Sequence, residues 1–177
     1  EVRDGGGVSP DIEVKQERLP NILYYLVRDN LIFDYATDYC LKHPVIGSAE
    51  KFELTDADYT DFKNKVKGAD FKYDQQSEKI LKTLKEAAEF EGYMKEASDE
   101  FKALENKLTH NLDRDLDYFS KDIKEMISEE IIKRYYYQRG AIIQQLKGDN
   151  ELDEAVKILT NPERYQQILS VTATEKK

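Results

Sequence analysis

The sequence predicts a mainly α-helical fold. Apolar residues recur at steps of three and four through most of the chain after Pro20, which is the spacing of one face of an amphipathic helix. Charged residues make up 36% of the 177 residues, yet 12 tyrosines and 7 phenylalanines supply enough large apolar surface for a folded core. The length is that of a single domain.

The first predicted helix begins at Pro20, because proline is accepted in a first turn, where its missing N–H needs no partner. The pair His43-Pro44 ends this helix, and residues 45–54 form a loop. A short second helix then begins with Thr55 as its N-terminal cap and ends at Gly68.

Two long helices follow in the prediction, over residues 74–109 and 112–147. Their apolar stripes predict an antiparallel hairpin with coiled-coil-like packing. Gly92 interrupts the first stripe, and Gly140 is expected to kink the second helix.

Two short helices close the predicted fold, over residues 151–159 and 162–169. The predicted domain organisation has three parts. Residues 1–18 form a glycine-rich turn and a short N-terminal extended arm, residues 19–170 form the helical domain, and residues 171–177 form a frayed tail.

The balance of charge argues against nucleic acid as a partner. The chain has 27 Lys and Arg against 36 Asp and Glu, a net charge of −9. The two signs alternate along most of the chain, so no basic face is set apart to bind a phosphate backbone. Apolar runs are only a few residues long, so we also predict no membrane span in this segment.

Residues that carry chemistry are few. The pair Cys40-x-x-His43 lacks the second ligand pair of a structural zinc site, so a buried thiol and a histidine at a helix end are favoured. Ser120 and Lys124 lie four residues apart on one helix face, but charges flank them, unlike a nucleophile and its base. The sequence predicts no catalytic residue, no metal site and no cofactor.

The most unusual helical segment is Ile131–Arg139, which contains three consecutive tyrosines. Since each helical residue turns about 100°, the three rings point around most of the helix circumference. Either the short helices pack over them, or they form an interface with an upstream domain, a second subunit or a substrate chain, because Tyr and Arg are favoured at such contacts. The candidate interface residues are Arg134, Tyr135, Tyr136, Tyr137 and Arg139.

Residues 2–12, Val-Arg-Asp-Gly-Gly-Gly-Val-Ser-Pro-Asp-Ile, resemble the closing segment of the catalytic domain in carboxyl-terminal-processing (tail-specific) serine peptidases. A Gly-x-Gly-Ile/Val-x-Pro-Asp stretch recurs there. In members of the Bacteroides and Porphyromonas type a helical C-terminal region follows, and the likeness continues through residues 134–137 and 153–159. On this resemblance a structural turn is formed by Gly5, Gly6, Gly7, Pro10 and Asp11.

The resemblance implies a non-catalytic C-terminal helical domain. Members of the family activate a serine nucleophile with a lysine base. The serine lies in a turn of small residues and the lysine in a Gly-Lys-Gly-like stretch, and this sequence contains neither stretch. The parent would be a periplasmic or envelope-attached serine endopeptidase that cleaves unfolded or C-terminally tagged proteins. The domain would serve docking on its own upstream catalytic domain, homo-oligomerisation or access of protein substrates, and would be inactive alone. Without its parent sheet, the arm over residues 1–15 would be poorly ordered or pair with another copy.

A function of another class stays open, namely a stand-alone acidic helical interaction module of the adaptor or holdase type. It predicts an exposed apolar groove and a chain that is complete at its own start. The peptidase interpretation predicts Ser and Lys motifs upstream of Glu1 instead.

Overall fold

The computed structural model describes residues 10–15 and 18–170, and this part of the chain contains nine α-helices, one 3₁₀ turn and no strand. The predicted mainly α-helical fold is confirmed. The helices are α1 (Asn21–Arg28), α2 (Leu31–Lys42), α3 (Asp56–Gly68), α4 (Gln76–Phe90), α5 (Ser98–Leu108), α6 (Leu112–Tyr118), α7 (Ser120–Gln145), α8 (Asn150–Leu159) and α9 (Pro162–Ser170), and the 3₁₀ turn is Tyr93–Lys95.

The chain divides into two compact units. We call Leu19–Gln144 the helical unit. The terminal unit combines Glu1–Arg18 with Gln145–Lys177, of which residues 10–15, 18 and 145–170 are described.

The core of the helical unit is built around α7. Ile123, Ile127 and Ile131 recur every four residues along one face of this helix, and all three are completely buried. Each large apolar side chain removed from water contributes about 1.5–3 kcal/mol. The buried side chains of α1, α2, α3 and α6 in the same cluster are Ile22, Leu23, Leu26, Leu31, Ile32, Tyr35, Ala36, Tyr59, Phe62, Val66 and Leu116.

The first predicted helix is in fact two helices, so that expectation was wrong. Asn30 adopts a left-handed conformation with φ 57°, which ends α1 and allows the chain to turn before α2. Asparagine tolerates this conformation better than most L-residues. The carbonyl of Asn30 then accepts a hydrogen bond from the N–H of Asp34 at 2.8 Å, in the first turn of α2.

The predicted long helical hairpin is also not formed. The first long helix is divided into α4 and α5, because Gly92 takes a φ of 86° and the 3₁₀ turn follows it. The chain reverses there, and an ion pair joins Lys85 Nζ to Glu105 Oε1 at 2.7 Å across the two helices. A short hairpin of α4 and α5 therefore takes the place of the long one.

The second predicted long helix is divided as well. Phe119 separates α6 from α7, and α7 itself is kinked at Tyr137, where φ is 54° and ψ is −151°. The kink lies at Tyr137 and not at Gly140, which was the expected position. Gly140 is buried in the turn that follows, where an added Cβ would lie 2.5 Å from the Cβ of Tyr136 and 2.7 Å from Cγ2 of Ile132.

Two helix caps follow from local chemistry. Oγ1 of Thr55 accepts a hydrogen bond from the N–H of Asp58 at 3.2 Å, and the Asp58 carboxylate accepts one from the N–H of Thr55 at 3.3 Å. This capping box confirms the predicted start of α3. At the start of α8, Oδ1 of Asp149 accepts hydrogen bonds from the N–H groups of Glu151 and Leu152, both at 2.9 Å.

Three of the expectations fall on residues outside the described part of the chain. These are the turn at Gly5–Gly7, the frayed tail over 171–177 and most of the arm. Within the arm, residues 10–15 are described, and they have no regular secondary structure apart from a bend at Asp11 and Ile12.

The packing around Gly140 predicts that Gly140→Ala destabilises the fold. In an open helix position alanine is favoured over glycine by about 1 kcal/mol, but here the methyl group would displace Tyr136 and Ile132. We expect the free energy of unfolding to fall by about 1–3 kcal/mol in urea denaturation. Gly47→Ala is the matched control, because no atom lies within 4 Å of its added Cβ, and it should change stability by less than about 0.5 kcal/mol. A more stable Gly140→Ala variant would contradict this account of the kink.

Candidate functional site

Arg134 joins α7 to α2. Its Nη1 donates hydrogen bonds to the backbone carbonyl of Glu130 at 2.9 Å and to Oε1 of that residue at 2.8 Å. Its Nη2 donates to the carbonyl of Phe33 at 2.9 Å and to Oγ1 of Thr37 at 3.0 Å. The guanidinium also lies 4.6 Å from the centre of the Phe33 ring. A planar fork of donors is required for this set of contacts, which explains an arginine at this position.

Tyr135 and Tyr136 join α7 to the loop that follows α2. The hydroxyl of Tyr135 donates to the carbonyl of His43, and the hydroxyl of Tyr136 donates to the carbonyl of Gly47 at 2.9 Å. Burial, followed by the neighbouring Cys40, raises the pKa of Tyr135 to about 12, so this hydroxyl remains a donor at neutral pH. The polar ends of both tyrosines are thus occupied within the helical unit.

Tyr137 and Arg139 have a different environment. The Tyr137 side chain is 79% exposed, and Gln138 and Arg139 beside it are exposed as well. An L-residue held at φ 54° and ψ −151° costs about 1–3 kcal/mol and persists only when its surroundings determine it. Of the five candidate interface residues, Arg134, Tyr135 and Tyr136 therefore bind elements of their own unit, while Tyr137 and Arg139 project outward.

No sequence pattern indicated the buried polar cluster around Asp115. This carboxylate is only 5% exposed, and its Oδ2 accepts hydrogen bonds from the hydroxyl of Tyr73 at 2.6 Å and from Nε2 of Gln75 at 2.8 Å. Burial and then the carboxylate itself raise the pKa of Tyr73 above its ordinary value, which keeps this hydroxyl protonated. Asp115 lies among many solvated acids in the sequence, so no spacing distinguished it beforehand.

The cluster borders a cavity of about 330 Å³, to which Asn21, Ser77 and Arg114 also contribute. His110 packs its ring against Tyr73 with the ring centres 4.6 Å apart, and its Nε2 is buried without a hydrogen-bond partner. In a catalytic triad the carboxylate accepts a hydrogen bond from the histidine that acts as the base. Oδ2 of Asp115 accepts hydrogen bonds from Tyr73 and Gln75 instead, so it does not orient a histidine base. The arrangement stabilises the junction of α6 with the segment before α4.

The Ser120 and Lys124 pair is not arranged for nucleophilic catalysis. Nζ of Lys124 lies 2.5 Å from Oδ1 of Asp56 and 5.3 Å from the centre of the Tyr59 ring. The hydrogen bond from Lys124 lowers the pKa of Asp56, so the pair is ionic. The amine of Lys124 thus contacts a carboxylate and an aromatic ring in the described structure, which is the environment of a structural ion pair.

Metal binding and membrane insertion receive no support from the described residues. Cys40 is partly buried, and the His43 ring stacks on Tyr39 with the ring centres 4.1 Å apart. Among residues 10–15 and 18–170, no group of three or more His, Cys, Asp or Glu side chains could hold a metal ion. No helix in that part of the chain combines the length and the hydropathy that a membrane crossing requires.

Comparison with known proteins identifies the family. A family model described as "Probable PDZ-protease, C-terminal helical domain" matches residues 22–159, which is most of the chain. The chain belongs to this family. The match begins in α1 and ends with α8, and it confirms that the chain resembles the C-terminal region of a protease. A search of curated proteins and a search of solved structures each gave no match.

The contacts of Arg134 predict that Arg134→Lys weakens the fold although it preserves the charge. A single ammonium group cannot match the forked contacts with Glu130, Phe33 and Thr37, so at least one of these partly exposed acceptors loses its protein partner. We expect a loss of about 0.5–1.5 kcal/mol in the free energy of unfolding, measured by urea denaturation. Lys133→Ala, at the exposed neighbouring position, should remain within about 0.5 kcal/mol of the parent chain. Equal stability of Arg134→Lys and the parent would show that the forked contacts do not stabilise the unit.

The raised pKa of Tyr135 predicts that the fold loses stability at alkaline pH. Its pKa is about 10 in the unfolded chain and about 12 in the folded one, so its contribution is present below pH 10 and disappears as the pH rises through 12. Denaturant titrations between pH 9 and 12 should show a shallower decline for Tyr135→Phe, because that variant has one proton fewer to lose. Tyr118→Phe, at a ring that is 74% exposed, controls for the loss of a hydroxyl group. An unchanged slope for Tyr135→Phe would contradict the assignment.

Proposed function

We propose that the chain is a non-catalytic accessory domain of a serine endopeptidase that resembles carboxyl-terminal-processing peptidases, and that it controls access of unfolded protein substrates. The family match supports the coarser part, since it describes a domain of a protease. It also favours this function over a stand-alone adaptor or holdase. The resemblance of residues 2–12 and of the tyrosine segment supports the serine type, the preference for unfolded or C-terminally tagged substrates, and a location in the periplasm or cell envelope.

The exposed pair Tyr137 and Arg139 is the observation that carries the substrate-access role. Tyr137 projects from a kink whose position is held by the contacts of Arg134, Tyr135 and Tyr136, so the ring stands on a rigid support. Tyrosine and arginine are among the residues that most often contribute large binding energies at protein interfaces. Polar neighbours such as Gln138 make this a small mixed surface, which suits a transient contact with a polypeptide better than a permanent apolar interface.

The test is a double variant, Tyr137→Ser with Arg139→Ser, in the full-length protein. Because each truncated side chain would remove more than about 1 kcal/mol of binding energy, we expect the KM for an unfolded protein substrate to rise by about tenfold or more. The kcat/KM for a short peptide substrate and the size of the assembly should not change. Tyr136 is unsuitable for this test, because its hydroxyl binds the carbonyl of Gly47 within the unit.

Lys133→Ser is the matched control, since it is also exposed on α7 but precedes the kink. The three roles of the segment give different results. Equal slowing of both substrates would indicate docking on the catalytic domain, and a changed assembly size would indicate an oligomer interface. Unchanged proteolysis with an unchanged assembly size would exclude a functional role for Tyr137 and Arg139.

A further inference from the structure

Helices α4 and α5 form a hairpin outside the core of the helical unit. In the described part of the chain, no side chain of residues 76–108 belongs to the core cluster. Only Leu81 and Ala88 of α4 are buried, and α5, which is described throughout, contains no buried residue. Leu81 and Ala88 are two helical turns apart, so they share the side of α4 that packs on α5. The rest of the hairpin surface faces solvent.

One side of this hairpin is apolar and exposed. Ile80 and Leu84 of α4 are 59% and 53% exposed, and Leu104 of α5 is 41% exposed. The ion pair of Lys85 with Glu105 marks the opposite side. Leu84 and Leu104 directly precede these two charged residues, and one residue turns a helix by about 100°. Because the helices are antiparallel, both steps turn to the same side, so the three apolar side chains share one surface, which we call the hairpin face.

The hairpin has opposite charges at its two ends. Its base, residues 76–85 and 102–108, has five lysines and two glutamates, whereas its tip, residues 86–101, has one lysine and six acids. All of these side chains except Lys85 are exposed. On α5, Glu100 of the tip and Lys107 of the base lie four residues before and three residues after Leu104, which places both beside the hairpin face.

This charge pattern makes the hairpin face complementary to itself in one orientation. In a two-fold dimer the same patch is used by both copies. A two-fold axis parallel to the helices would bring the two acidic tips together, which is repulsive. An axis that crosses the helices at right angles, in the plane between the two faces, brings each acidic tip beside the basic base of the other copy. The charges therefore select the arrangement in which the two hairpins are antiparallel.

We propose that two copies of the chain pair through their hairpin faces in this antiparallel arrangement and form a four-helix bundle. The occupant of the face is thus a second copy. With the two-fold axis beside Leu104, this side chain contacts its counterpart, and Glu100 of each copy lies opposite Lys107 of the other. Pairing removes the exposed leucine and isoleucine side chains of both hairpins from water.

The size of the face indicates how strong the contact is. Helices of 15 and 11 residues are about 22 and 16 Å long, and at a separation of about 10 Å they present roughly 400 Å² on each copy. Interfaces of this size belong to the weak and transient class, so we expect a Kd in the micromolar range. Pairing uses none of the residues that carry the proposed function, so the two are tested separately.

The test is sedimentation equilibrium of the full-length protein between about 1 and 200 μM. We expect a reversible dimer whose Kd rises with salt. Glu100→Lys and Lys107→Glu should each raise the Kd by about fivefold or more, because two attractive contacts in the dimer become repulsive. The double variant exchanges the two charges, so it should return the Kd to within about twofold of the parent.

Glu89→Lys is the matched control. Glu89 is also an exposed acid of the hairpin tip, and the change in net charge is the same, but it lines a groove on the side of Lys85 and Glu105. Its Kd should stay within about twofold of the parent. Three results would overturn the pairing of two copies. They are a monomer at every concentration, equal effects of Glu89→Lys and Glu100→Lys, and no recovery in the double variant.

Other occupants of the hairpin face give a different result. If the full-length protein stays monomeric while Glu100→Lys, but not Glu89→Lys, slows the cleavage of a protein substrate, the face binds another part of the polypeptide or the substrate, and pairing is refuted. Sedimentation is measured without a substrate. A dimer that shows the charge-exchange recovery but cleaves no protein would therefore refute the proposed function and leave the pairing intact.

Discussion

Ile123, Ile127 and Ile131 are completely buried along one face of α7, and the arrangement of the helices around them depends on this stripe. Burial of this apolar surface stabilises the unit, and it also fixes the rotation of α7 about its own axis, because a helix presents the same face every 3.6 residues. Once this rotation is fixed, Arg134 must point at α2, and the two tyrosines after it must meet the loop behind α2.

The kink in α7 follows from constraints on both of its sides. Before the kink, the hydroxyl of Tyr136 is held by the carbonyl of Gly47, and after it the backbone of Gly140 lies against the side chains of Tyr136 and Ile132. Tyr137 lies between these anchors, so it takes the strained conformation and its ring is directed away from the core. A strained and exposed aromatic residue on a rigid support is a recurrent feature of binding sites.

The two units differ in how far their apolar surface is satisfied. The helical unit has a continuous core and a buried carboxylate with two hydrogen-bond donors, so its interior polar groups are largely paired. In the terminal unit, neither α8 nor α9 buries a side chain. Helices α8 and α9 therefore leave several apolar side chains exposed to solvent, among them Leu152, Val156 and Leu159.

The helical class, the caps at Thr55 and Asp149 and the buried isoleucine stripe could be predicted from the sequence, because helix periodicity and capping depend on residues within one or two turns of each other. The sequence also indicated an interruption at Gly92, but it did not indicate that the chain reverses its direction there. Only the tertiary structure decided the turn at Asn30 and the kink at Tyr137, since non-glycine residues rarely adopt positive φ and no local sequence pattern marked these two positions. The sequence likewise identified the tyrosine segment as unusual, whereas packing decided that Arg134, Tyr135 and Tyr136 bind their own unit and that Tyr137 and Arg139 remain exposed.

Asp115 could not be identified beforehand, because burial of one carboxylate among 36 acids depends on which helices meet.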